Sequence, residues 1–113
     1  MDSVAWRAKA IAAASESDWS EMVNRMQASF STASEQQALP ELAVAHLRYA
    51  ECLHKKGDLD AARGQLDQAE PLFRDMGMAW WAEQAEGLRG RIDRGEEFVW
   101  FAPYVDGPPP LDA

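Results

Sequence analysis

The chain has a single cysteine, Cys52, so no internal disulfide framework exists, and an expected reducing compartment follows from that poverty. It has little basic charge, 11 Lys and Arg against 19 Asp and Glu, and no cluster beyond Lys55-Lys56. An acidic surface repels phosphate backbones, so nucleic acid is not an expected partner despite five tryptophans able to stack on bases. No long apolar run is present. The first twenty residues carry Arg7, Lys9, Glu16 and Asp18 without a sustained apolar block, which argues against a secretory signal or a membrane span and for a cytoplasmic location. A Gly-rich phosphate loop, a nucleophile elbow and a Cys pair are all missing. His46 and His54 stand two turns apart, not the single turn of a helical metal pair, so neither a metal nor a cofactor is expected. Carboxylates such as Glu83, Glu86, Glu96 and Glu97 read as solvated surface, no catalytic residue stands out, and the chain is not expected to be an enzyme.

What is there is helix. Apolar residues make up 47% of 113 positions, enough for one domain with a core of its own. From Leu42 to Leu53 apolar groups surround most of the helical circumference, the mark of an element covered on more than one side. Pro40 suits its first turn and Gly57 its exit, after which Asp58 offers the acceptor that starts the next helix. That helix spaces Leu59, Ala62, Leu66, Ala69 and Phe73 by threes and fours, giving one buried stripe. Asp18 with Glu21 three residues on forms a similar start for an earlier helix. Five helices are expected, over about residues 3–15, 19–30, 40–56, 59–75 and 78–94. Residues 31–38 read as a loop, with a frayed helical turn at Glu35-Gln36-Gln37-Ala38 as the alternative.

The residues of the central pair of helices, His46, Tyr49-Ala50 and Leu53 followed by Ala62, Leu66 and Ala69, resemble the tetratricopeptide repeat. His46 stands where that family usually has Trp, and Pro71 falls inside the second helix instead of after it. Forty residues upstream, Trp6, Ala10, Asp18-Trp19, Met22 and Met26 repeat the pattern, and thirty-five downstream Trp81, Ala85 and Leu88 do so again. The resemblance implies an all-α fold of antiparallel helices in a right-handed helical repeat over residues 1–95. It also implies a concave face, lined by the first helix of each pair, that holds a partner protein's segment. Carried over residue by residue, that face comprises Arg7 and Ile11, then Leu47, Glu51, His54 and Lys55, then Ala82, Glu86 and Arg89. A small-molecule pocket or small active site around Trp80, Trp81 and the tail is the competing expectation.

Residues 96–113 break the helical pattern. Phe98, Val99, Trp100, Phe101, Tyr104 and Val105 form an aromatic strip between Gly95 and Pro108-Pro109-Pro110, which predicts an extended tail. Full burial of one such side chain is worth about 1.5–3 kcal/mol, so the strip is expected to pack on something. Phe98, Trp100, Phe101 and Tyr104 are its expected anchors. Three docking places are open: the outer side of helix five, a second copy of the chain in a homodimer, or a different protein.

Overall fold

In the computed structural model, residues 2–98 are described. They form five helices: α1 (Ser3–Ser15), α2 (Trp19–Glu35), α3 (Leu39–Lys56), α4 (Leu59–Asp75) and α5 (Ala79–Asp93). The expected break at 31–38 is therefore smaller than anticipated. Helix α2 runs on to Glu35, and only Gln36, Gln37 and Ala38 make the turn. The helical propensity of that stretch wins because Ala33 points into the core and Thr32 returns its hydroxyl to the Ala28 carbonyl. Helix α4 likewise continues through Pro71 to Asp75.

Every helix ends in the same way. A left-handed residue follows each one: Ser17, Gln37, Gly57, Gly77 and Gly95, with φ of 60°, 53°, 93°, 69° and 71°. The amide after it closes on the carbonyl five residues back, as in Asp18 to Ala13, Ala38 to Ala33, Asp58 to Leu53, Met78 to Phe73 and Glu96 to Arg91. These bonds satisfy carbonyls that a helix end leaves without partners. Asp18 and Asp58 then cap the next helix through Glu21 N–H and Ala61 N–H. The first four left-handed residues lie at 17, 37, 57 and 77, so the chain turns every 20 residues. The helix starts at Leu39 and Ala79 are accordingly 40 residues apart. The thirty-five-residue spacing expected from Trp81, Ala85 and Leu88 differs from this step of helix starts, although Ala85 and Leu88 are buried as Ala50 and Leu53 are.

Helices α1, α3 and α5 form one layer, with α3 touching both of the others. Helices α2 and α4 sit behind them, and among the described residues they do not meet each other. Each packs against the helices before and after it in the chain. The core divides into two clusters that share α3. Ala45 and Cys52 join Ala10, Ala14, Met22 and Met26 on one side, while Leu47, Ala50 and Leu53 join Leu66, Phe73, Trp81 and Leu88 on the other. The crowded apolar pattern of α3 is explained by this double duty. Behind α3, His46 stacks at 4.7 Å on Phe30 of α2 and donates from Nδ1 to Gln65 of α4 at 2.7 Å. It does the work of the larger ring expected there, joining both rear helices to the front one. Within the described residues no helix is long and apolar enough to cross a membrane.

Candidate functional site

His46, Tyr49 and Leu53 point from α3 towards the rear layer. On a helix, residues 44, 48, 51 and 55 lie on the opposite side, so Val44, Arg48 and Glu51 form a stripe turned away from Phe30 and Gln65, with Lys55 at its end reaching back to Trp19 of α2. On this side Val44, Arg48 and Glu51 retain only 4%, 6% and 8% of their exposure, Val44 as a member of the core cluster that includes Trp81 of α5. Arg48 pairs with Glu51 at 2.5 Å, and its guanidinium lies over the Trp81 ring of α5 at 5.2 Å. The ion pair meets part of the desolvation cost of placing two charges there. Lys55, half-buried, holds its ammonium 5.5 Å from the Trp19 ring.

The sequence-expected residues are placed unequally. Ile11 is half-buried on α1, one forty-residue step from Glu51, with the more exposed Val4 one step from Val44. Arg7 is buried and reaches across to Glu41 of α3 at 3.0 Å, tying the front helices together. Leu47 and Ala82 are core residues, with exposures of 1% and 9%. Glu86 and Arg89 face α4: Arg74 meets Glu86 at 2.9 Å, while Arg89 bonds Glu70 at 2.9 Å and Asp67 at 2.7 Å. Burial works against the Arg89 charge, but its two carboxylate partners outweigh it and raise the pKa. Helix α5 is turned so that Glu86 and Arg89 bind α4, while Trp81 lies between Phe73 of α4 and Arg48 of α3. Sequence spacing assigns residues to a helix face but does not by itself set how that helix is rotated against its neighbours. Val44, Arg48 and Val4 were the members missed, and the forty-residue step from Ile11 and Glu51 was the signal that leads to them.

His54 is the hinge between this stripe and the C-terminal segment. It is buried, and its Nε2–H donates to the Glu96 carbonyl at 2.9 Å. Because a carbonyl only accepts, the proton sits on Nε2, and Nδ1 has no hydrogen-bond partner among the described residues. The Phe98 ring meets the His54 ring edge-on at 5.4 Å and 86°. An open cleft of about 500 Å³ lies here, lined by His54, Lys55, Gly57, Leu59 and residues 95–98. Trp80 and Trp81 are not among its lining residues; Trp81 stacks on Phe73 at 5.9 Å and meets Trp80 edge-on at 4.9 Å. Trp100, Phe101 and Tyr104, the remaining expected anchors, lie outside the described residues.

The chemistry of the site is that of packing. Cys52 faces the α1/α2 side, and burial, helped by Glu51, pushes its thiol up to about 12, so it is held as an inert thiol. Burial also raises the Tyr49 hydroxyl, with Cys52 and Asp58 adding to it. Among the described residues no three His, Cys, Asp or Glu side chains gather as a metal site would need. No protein-family model, curated protein or solved structure matches the chain.

Proposed function

We propose that this protein is a non-enzymatic interaction module that receives an extended segment of a partner protein across the front of α1, α3 and α5. The observation that carries the reading is the line of Val44, Arg48 and Glu51 along the front of the central helix, desolvated side chains with the half-buried Lys55 at their end. The forty-residue recurrence of turns and the two-layer arrangement support the tetratricopeptide-like architecture in which such a face holds peptides. The charges on this face are already engaged in Arg7–Glu41 and Arg48–Glu51 pairs. Recognition therefore falls to apolar and aromatic contact, while the overall charge of −8 acts on the rate and choice of encounter. The competing pocket around Trp80 and Trp81 draws less support, because Trp81 is already occupied by Phe73, Trp80 and Arg48.

Selection from a displayed library of linear peptides tests this. Enriched peptides are expected to lose about tenfold or more in affinity, about 1.4 kcal/mol, on Val4→Asp with the thermal melt little changed, and on Ile11→Asp with a lowered melt, because Ile11 packs on the α1/α2 core. Absence of enrichment, or binding indifferent to both substitutions, overturns the proposal.

A further inference from the structure

Along the front of α3 the charges are paired, but at its C-terminal end polar groups remain without partners. The cleft of about 500 Å³ there is lined by His54, Lys55, Gly57 and Leu59 on one side and by Gly95–Phe98 on the other. His54 is 5% exposed, and its Nδ1 is a buried acceptor with no hydrogen-bond partner among the described residues. A buried acceptor left in that state costs stability until a donor reaches it. Of the two carboxylates on the wall, Glu96 is taken by Arg94, whereas the exposed Glu97 has no ion pair among the described residues. The end of α3 adds the partial negative charge of a helix C-terminus. Lys55 is the cation among the lining residues, and its ammonium lies 5.5 Å from the Trp19 ring of α2.

We propose that this cleft receives one basic side chain, Lys or Arg, of the partner segment, its N–H donors shared between the Glu97 carboxylate and His54 Nδ1. Each unpaired group calls for a donor carrying positive charge. An acidic side chain would meet Glu97 and the negative end of α3, and an apolar one would leave Nδ1 unpaired. The alkyl stem of Lys or Arg has Leu59 and the half-buried Phe98 ring to lie against, and an aromatic face attracts a cation as well. The volume is ample for one such side chain. The cleft begins at Lys55, where the front stripe ends, so a segment seated on that face reaches it without leaving the surface. The net charge of −8 then favours the same partner at long range that the cleft selects in contact. This inference rests on the proposed function above and adds the chemistry of one partner residue to it.

The test has two arms, both on the full chain. In the first, N-acetyl-arginine methylamide and its lysine counterpart are titrated at millimolar concentration into isotope-labelled protein, and backbone amide signals are followed by NMR. Shifts are expected at Gly57, Leu59 and Glu97. Glu97→Gln should weaken them, while Glu83→Gln, an equal loss of charge on the exposed side of α5, should not. The alanine and glutamate counterparts should give none. No shift at these positions, or an undiminished response in Glu97→Gln, overturns the proposal. In the second arm, peptides selected on the protein should share a Lys or Arg whose change to Ala costs about tenfold in affinity for the wild type and only about threefold for Glu97→Gln. Enriched peptides without a shared basic residue, or an equal loss with both proteins, sink the cleft and leave the partner reading standing. Shifts in the first arm with no peptide enriched in the second do the reverse, keeping a cation-binding cleft and removing the partner segment.

Discussion

Among the described residues five hold the backbone in a region that L-amino acids avoid, and two of them are not glycine. Ser17 and Gln37 occupy the positions that Gly57, Gly77 and Gly95 fill elsewhere. The left-handed conformation costs a side-chain-bearing residue about 1–2 kcal/mol, partly offset by the extra freedom glycine has when unfolded. Ser17→Gly and Gln37→Gly are each expected to raise the stability by about 0.5–1 kcal/mol in urea unfolding. Gly57→Ala is expected to lower it by about 1 kcal/mol, from backbone strain alone, because an added Cβ there meets nothing within 4 Å. His46 provides the pH dependence. Burial holds its imidazole below the ordinary 6.5, against the opposing pull of the Gln65 hydrogen bond. The folded state therefore favours the neutral ring, and its contribution is complete above about pH 6.5 and is lost as pH falls from there towards the folded value. Urea midpoints at pH 7.5 and 5.5 should fall more for the wild type than for His46→Gln, and equal falls would remove this account.

At the scale of elements, the α4/α5 seam is held by charge as well as by apolar contact. Glu70, buried, takes both Arg89 and Arg74, and Arg63 reaches Asp93 at 3.1 Å. Arg89→Ala leaves Glu70 with a weaker share of one arginine and is expected to cost about 1–3 kcal/mol. Glu86→Ala removes an exposed pair and should cost less than about 1 kcal/mol. A reversed order in paired denaturation curves would show that the seam is held some other way. The helices and most corners were legible from sequence, because Pro40, Gly57, Asp58 and Asp18 act through bonds to residues within one turn. The corner at Gln37 was not, since a glutamine in the left-handed region carries no local sign of it.

Across the whole molecule, α3 belongs to both clusters, so the halves are expected to unfold together. Cys52 reports the first cluster through its thiol, and circular dichroism reports every helix. The two signals should give coincident urea transitions, while an earlier rise in thiol reactivity would show the α1/α2 hairpin separating first. Phe73→Ala, in the second cluster, is expected to cost about 3–5 kcal/mol and to shift both signals alike.

The amino-acid sequence determined by itself what depends on near neighbours: the helical segments, their caps, and which stripe of α3 and α4 is apolar. Periodicity and capping act within a few residues, so a linear reading captures them. Only the tertiary structure decided which way α5 is turned, that Arg7 binds Glu41, that Glu86 and Arg89 serve α4, and that Glu96–Phe98 meets His54. Each of those contacts joins residues 12 to 44 positions apart, where the outcome rests on how whole helices fit and not on any local preference.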